Sequence, residues 1–186
     1  VTGDEPEAGP AAGASFFRFC PSCGAAGPTF VDNKFWHCRA CGFDFFRNAA
    51  AAAGVIIHGP EGIVLLERSL EPRSGKLAFP GGFVDLGERA EEAALRECRE
   101  EIGWAPPEIE YLGSYPNLYD YGGVGYYTCD IFYFYRAPGG SALPPLAPRD
   151  GEARRVRLLP PRAIQAADLA FPSTAWALGA YAATLG

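Results

Sequence analysis

Three carboxylates fall within five residues of this chain: Glu97, Glu100 and Glu101. At about 100° per residue they would occupy roughly a third of a helix circumference. Leu95, Cys98 and Ile102 would then lie on roughly the opposite side, free to bury against a sheet. Like charges at this spacing repel and raise one another's pKa. A solvated acidic face would relieve that repulsion with a basic residue four positions after each acid. Those positions hold Glu101, Trp104 and Ala105 instead. Oxygen ligands in such an array suit Mg2+ or Mn2+, ions that also bridge phosphate oxygens. The glycines that precede the acids, Gly81 and Gly82, would let the backbone approach such an ion or a phosphate closely.

A second constellation is sulfur-based. Cys20-Pro-Ser-Cys23-Gly and Cys38-Arg-Ala-Cys41-Gly are two knuckles separated by fourteen residues, 24–37. Each turn can aim two thiolates at one ion, and two turns complete a tetrahedral Zn2+ site. Such a site has no open position for catalysis, so its expected role is structural, and disulfides or a redox pair are the alternatives. His37 is a conceivable substitute ligand, but four cysteines already fill the coordination sphere. Arg18, Lys34, Arg39 and Arg47 outnumber Asp32 and Asp44 around the knuckles. Four dispersed charges are a weak footprint and argue against nucleic acid as a partner. Cys98 and Cys129 have no cysteine neighbours in sequence and are expected to be buried as small hydrophobes.

The elements that must position these groups follow from periodicity and punctuation. The 186 residues are 48% apolar and 13% aromatic, enough for one ordinary domain with a small appendage. Residues 1–15 read as a disordered tail, 16–48 as a zinc ribbon with a hairpin over 29–36, and 49–186 as the main domain. Strands are expected over 52–58 and 63–67, joined by a turn at 59–62. A further strand over 77–84 is interrupted at Pro80-Gly81-Gly82, where a loop must leave the sheet. A helix is expected over 88–102, with Asp85 and Glu88 spaced as a capping pair. Strands over 109–115, 126–136 and 154–159 follow, with a tyrosine-rich loop over 115–127. The Ala-rich end, 161–186, reads as helical, with Pro172 breaking it. Strands on both sides of a central helix, then a terminal helix, give an α+β fold with a mixed sheet covered on both faces.

Charge and hydropathy exclude some functions. A net charge of −6 and a pI near 5.0 leave no basic face for a general polyanion binder. They permit a phosphorylated small molecule, because a metal ion neutralises phosphate locally. No apolar run approaches the roughly 20 residues needed to span a bilayer, and residues 1–15 carry no hydrophobic leader. The expected location is therefore cytoplasmic, with no membrane partner, which also argues against structural disulfides.

The stretch from Gly82 through Glu88, Arg96, Glu97, Glu100 and Glu101 to Gly103 resembles the box of the Nudix family, G-x5-E-x7-R-E-U-x-E-E-x-G-U. Every fixed position matches. Cys98 and Trp104 stand where aliphatics are usual, and both are apolar. The lead-in, residues 75–82, is also similar, with Leu77 in place of a common Trp. The ribbon in front makes the chain similar to the zinc-bearing branch that includes NADH and ADP-ribose pyrophosphatases.

The resemblance implies an α/β/α sandwich and a hydrolase, a nucleotide pyrophosphatase in which metal-activated water attacks phosphorus. It places the principal ligands at Glu97 and Glu101, with Glu100 assisting and the Gly81 carbonyl completing the sphere. Arg96 and Glu88 would pair to hold loop against helix. A homodimer is the assembly it implies.

Substrate choice lies outside the box. Ser114-Tyr115-Pro116-Asn117 keeps only the Ser and Pro of the segment that NADH pyrophosphatases carry there, which argues against NADH. An ADP-ribose-like or dinucleotide substrate is the leading expectation. The alternatives are a nucleoside triphosphate or oxidised-nucleotide pyrophosphohydrolase, and a nucleotide-sensing module, which would have no need of metal carboxylates. Many relatives carry an extra acid near the last strand, at the position of Arg155 here. Glu152, three residues earlier, is a candidate base or ligand, and Asp120 is its rival. Tyr119, Tyr121 and Tyr126 are candidates to stack on base or ribose. Asp168 to Phe171 could close the pocket or simply bound a helix.

Overall fold

The computed structural model describes residues 17–121 and 124–186, apart from the Tyr121 side chain. Residues 1–16 lie outside the described residues, as does the sequence-expected tail with them. The chain divides into two compact units, Val1–Asn48 and Ala49–Gly186.

In the first unit, β1 (Thr29–Val31), β2 (Phe35–His37) and β3 (Asp44–Phe46) form an antiparallel sheet in that order. Asp32 and Asn33 turn β1 into β2 with φ of 50° and 55°, left-handed values that these two residue types tolerate. Trp36 is buried with Phe17, Phe30 and Phe45 around it. So small a core leaves the knuckles to hold the remaining chain.

The second unit is built on a mixed sheet. Its main path runs β10 (Ala153–Leu159), β5 (Gly62–Arg68), β4 (Ala50–Gly59), β9 (Val124–Arg136) and β8 (Glu110–Tyr121). β4 and β9 are parallel, and the other neighbours are antiparallel. The hairpin partners β4 and β5 pair only at His58↔Ile63 and Gly59↔Gly62. Beyond that point they diverge, and the chain fills the wedge. β6 (Leu77–Ala78) pairs with β5, and after Pro80, β7 (Gly81–Phe83) pairs with β4. Proline cannot donate to a ladder, so the chain changes partners there, leaving Gly81 and Gly82 at the opening.

Strand alternation sends side chains to two cores. Val55, Ile57, Val64 and Leu66 pack with Ala93, Ala94, Cys98 and Ile102 of helix α1 (Ala90–Ile102). Ile56, Ile63 and Leu65 pack with Ala177, Leu178 and Tyr181 of helix α2 (Pro172–Ala183). The sheet thus lies between helices, a mixed sheet covered on both faces as the order of elements implied and the α/β/α sandwich that the resemblance implied.

Several expectations are corrected. Helix α1 starts at Ala90, not 88. Asp85 and Glu88 do not cap it; Glu92 instead accepts from the Arg89 N–H at 3.0 Å. Leu95 is only half-buried, and Ala93 and Ala94 carry that side of the helix. Pro172 opens α2 rather than breaking a helix, because its missing N–H costs nothing in a first turn. Residues 161–163 and 166–168 form short 3-10 turns ahead of it. The stretch read as a tyrosine-rich loop belongs to β8 and β9, paired from Glu110↔Phe134 to Tyr121↔Val124. Cys98 is buried, but Cys129 is exposed, because its neighbours Thr128 and Asp130 take the inward positions of β9.

Candidate active site

The wedge between β4 and β5 places the N-terminus of β7 against helix α1. Glu97 and Glu101 lie one helical turn apart and face it. The Gly81 N–H donates to Glu101 Oε2 at 2.8 Å. A Cβ at Gly82 would come within 2.5 Å of Glu97 Oε1 and 2.7 Å of its carboxyl carbon, so any side chain there would push that carboxylate out of its position. At the helix C-terminus, Gly103 has φ 76° and closes the last turn onto Arg99 O. The guanidinium of Arg149 occupies the space beside Gly103 that a side chain would need.

Arg96 ties this region together. Its Nε and Nη2 donate to the two oxygens of Glu88 at 2.9 and 3.0 Å. Its Nη1 reaches Glu97 at 2.7 Å and Glu100 at 3.0 Å, and Nη2 also reaches Phe83 O at 3.0 Å. The Asp85 N–H donates to Glu88 at 3.1 Å. Hydrogen bonding to Arg96 lowers the Glu88 pKa, so Glu88 stays a carboxylate and clamps the loop before α1 to the helix.

The three helix acids are not equivalent. The Glu100 side chain is 54% exposed and reaches back to Arg96, whereas that of Glu97 is 16% exposed. Desolvation raises the Glu97 pKa against the opposing effect of Arg96. Glu101 is buried, and burial pushes its pKa up to about 8; Glu97, Asp150 and Glu152 add to the rise, and the Gly81 N–H opposes it. The carboxylates of Glu101, Asp150 and Glu152 lie within 4.8 Å of one another. The loop carrying the last two is bound to the helix by the Arg149 N–H, which donates to Glu101 O at 3.1 Å, and to the residue just after β5 by the Ser69 N–H, which donates to Glu152 O at 2.7 Å.

Glu97 and Glu152 stand at one end of a cleft of about 690 Å³ whose lining does not include Glu100, Glu101 or Asp150, large enough for a nucleotide-sized ligand. Glu97, Glu152, Gly81 and Gly82 line that end. Tyr119 and Tyr126 line the wall, with Phe83 edge-on to Tyr119 at 5.7 Å and Phe171 at 5.5 Å from it. The Arg68 guanidinium also lines the cleft, 5.3 Å above the Phe171 ring.

Not every sequence candidate enters this cleft. Asp120 does not line it, because β8 alternation points Asn117 and Tyr119 inward and Asp120 the other way. The side chain of Tyr121 lies outside the described residues. Arg155 pairs with Glu67 at 2.8 Å instead of standing with the acids. Phe171 lines the cleft, and Asp168 does not. Sequence reasoning missed Asp150, Arg68, Asn117, Thr128 and Asp130. They are spread over β5, β8, β9 and the loop before β10, and no short-range pattern marks them.

In the first unit, the four cysteine sulfurs also lie within 4.8 Å of one another. Cys20 and Cys41 are 3.8 Å apart, and Cys23 and Cys38 are 3.7 Å apart. The knuckles are built alike: the Gly24 N–H donates to Cys20 O at 2.9 Å and the Gly42 N–H to Cys38 O at 2.8 Å. His37 is held by Asp44 at 2.7 Å. The donor set suits a zinc ion.

Residues 48–177 match the NUDIX domain family. Over 75 residues the chain is 40% identical to an ADP-ribose pyrophosphatase of Methanocaldococcus jannaschii, covering 40% of this chain and 44% of that one. Over 98 residues it is 34% identical to the NAD-capped RNA hydrolase NudC of Pseudomonas aeruginosa, covering 52% of this chain and 34% of the relative. The matched region thus spans less than half the length of either relative. Among solved structures, a NUDIX hydrolase from Nitrosomonas europaea superposes with a TM-score of 0.62 at 22% identity, covering 87% of this chain and 88% of that one. The NUDIX domain of Shewanella oneidensis NrtR, solved with ADP ribose, gives 0.64 at 20% identity, covering 76% and 91%. At these identities the likeness to the solved structures is one of fold.

Proposed function

Because the chain belongs to the NUDIX domain family, we propose that it hydrolyses a phosphoanhydride bond in a nucleoside diphosphate joined to a second group, as in ADP-ribose. One observation carries this reading. The buried carboxyl of Glu101 has only the Gly81 N–H as a hydrogen-bond partner among the described residues, while three further acids crowd it. Burying such a group is costly unless a cation joins it. Arg96 does not meet that need, since its hydrogen bonds go to Glu88, Glu97, Glu100 and Phe83. A hard divalent cation fits an all-oxygen donor set.

Glu97, Glu101 and the Gly81 carbonyl would hold Mg2+ or Mn2+, with Glu152 and Asp150 beside them and Glu100 assisting from the rim. Such an ion, when bound, lowers the pKa of water and spreads developing phosphate charge. The chain's own groups do the rest. Arg96 fixes the direction of the Glu97 carboxylate, and Glu152, which lines the acidic end of the cleft, would take a proton from water there. Arg68 offers the phosphates a cation inside the cleft. Tyr119, Tyr126 and Phe171 offer flat faces to base or ribose.

The test is hydrolysis of ADP-ribose, NADH, diadenosine polyphosphates and nucleoside triphosphates with Mg2+. Cleavage of the diphosphate-linked compounds, abolished by a chelator, is the expected result. Cleavage of triphosphates alone would replace the substrate class. Tight binding of one compound with no product from any would make the domain a sensor.

The four cysteines we assign to structural Zn2+. Purified protein is expected to hold about one zinc per chain. A strong chelator should melt the Trp36 core and change its fluorescence while leaving the second unit folded. Zinc well below one per chain would remove the assignment.

A further inference from the structure

The floor of the cleft carries polar groups that the hydrolytic reading does not use. β9 turns Thr128 and Asp130 inward, two residues apart on one strand face, and both are over nine-tenths buried. One oxygen of Asp130 is fully engaged: Oδ2 accepts from Asn117 Nδ2 at 2.9 Å and from Ser173 Oγ at 2.6 Å. Asn117 is held in that orientation because its own Oδ1 accepts from the Leu118 N–H at 2.9 Å. The other oxygen of Asp130 has no partner among the described residues. The Thr128 hydroxyl is buried and likewise has none. Buried polar atoms are nearly always satisfied, and exceptions call for an explanation. The free Asp130 oxygen is not among the buried orphans and keeps some accessible surface, whereas the Thr128 hydroxyl is shut off as it stands. Both residues line a cleft whose walls are aromatic, an arrangement that would hold a flat heterocycle by its faces and read its edge.

We propose that Asp130 and Thr128 select the nucleobase, the open Asp130 oxygen accepting an N–H of the base and the Thr128 hydroxyl donating to the acceptor beside it. The inference rests on the reading of this cleft as a nucleotide site. An N–H next to an acceptor is a pattern that base edges present. It comes either from an exocyclic amino group, as in adenine and cytosine, or from a ring imino group, as in hypoxanthine and uracil. A carboxylate oxygen can only accept, so it welcomes one member of each amino/oxo pair and meets the lone pairs of the other. A site built on a hydrogen bond rejects the wrong partner far more strongly than an apolar pocket does. Because the Thr128 hydroxyl is buried as it stands, donating to a base would take a change to another staggered χ1 position.

The Asp130→Asn variant tests this directly. Asn117 and Ser173 both donate, so they retain the amide oxygen at the Oδ2 position and leave the NH2 facing the cleft. The fold is preserved while an acceptor becomes a donor. Rates are compared on matched diphosphate substrates carrying adenine or hypoxanthine, and cytosine or uracil. The wild type is expected to prefer one member of a pair by at least about 10-fold in kcat/KM, with the difference in KM, and the variant is expected to reverse that preference. Preference for the amino member identifies the exocyclic group, and preference for the oxo member the ring N–H. Equal rates on both members in the wild type, or an unchanged order in a uniformly slower variant, would overturn the assignment and leave the proposed hydrolysis standing. If no diphosphate substrate is cleaved by the wild type, the nucleotide reading has failed and this inference falls with it. Thr128→Val gives a second reading that does not depend on Asp130. Removing an orphaned hydroxyl should hold or raise Tm, while KM for the preferred base rises several-fold. A raised Tm with unchanged KM would dismiss Thr128 from the selector.

Discussion

Replacing Glu101 with Gln is expected to lower turnover by more than about 100-fold without weakening the fold. Loss of groups that merely orient a metal ligand costs about 10–100-fold in affinity or activity, and Glu101 is proposed as a ligand itself. The stability half of the prediction follows from its surroundings. The carboxyl is buried, and its pKa is pushed up to about 8, first by desolvation and then by Glu97, Asp150 and Glu152. Gln carries no charge to desolvate and keeps an oxygen for the Gly81 N–H. In metal-free buffer the variant should therefore melt at the wild-type temperature or above it. Mn2+ titration followed by electron paramagnetic resonance should show weaker binding. Undiminished hydrolysis would remove Glu101 from the ligand set, and a large drop in metal-free Tm would show that its role is structural.

Arg96→Ala should fail in the opposite way, losing stability and activity together. The substitution removes both bonds to Glu88 and those to Glu97, Glu100 and Phe83 O. It leaves Glu97 largely desolvated with no countercharge. Breaking a buried pair costs about 3–5 kcal/mol. The guanidinium is 25% exposed, so about 2–3 kcal/mol is the expectation after solvent screening. For a chain of this size that is a fall in Tm of about 5–10 °C. Arg96→Lys should recover only part, because an ammonium cannot span Glu88 and Glu97 at once. Differential scanning calorimetry checks the first claim. An unchanged Tm in Arg96→Ala would mean that the clamp between loop and helix is not what holds this region. The two variants together separate the proposed role of Glu101 in holding an ion from that of Arg96 in positioning Glu97.

The box was legible because its chemistry is local. Glu97 and Glu101 share a helix face by periodicity alone, and Gly82 and Arg96 belong to the same short segment. Their unequal burial was not legible. Helical geometry groups Glu100 with the other two acids, but the packing of α1 on β4 and β7 turns Glu97 and Glu101 inward and leaves Glu100 at the rim. The 115–127 stretch was misread for a related reason. Its tyrosines, glycines and Asp120 look like a loop in isolation, yet pairing with the neighbouring strand satisfies the backbone over the whole length of β8. Strand propensity depends on such partners. Glu152 was within reach of sequence reasoning as an acid near the last strand. Asp150 had no signal of its own, since an Asp ahead of a glycine in a turn is ordinary.

By itself the sequence determined the sulfur knuckles, the acidic helix and the glycines beneath it, because each is written in spacings of a few residues that backbone geometry converts into position. Only the tertiary structure decided which acids are desolvated, that Asp150 and Glu152 converge on Glu101, and that Asp130 and Thr128 face the cleft. Those outcomes depend on strand register and on the wedge opened between β4 and β5. A one-residue change in register reverses which side chains face inward, and groups far apart in the chain meet only once every strand has its partner.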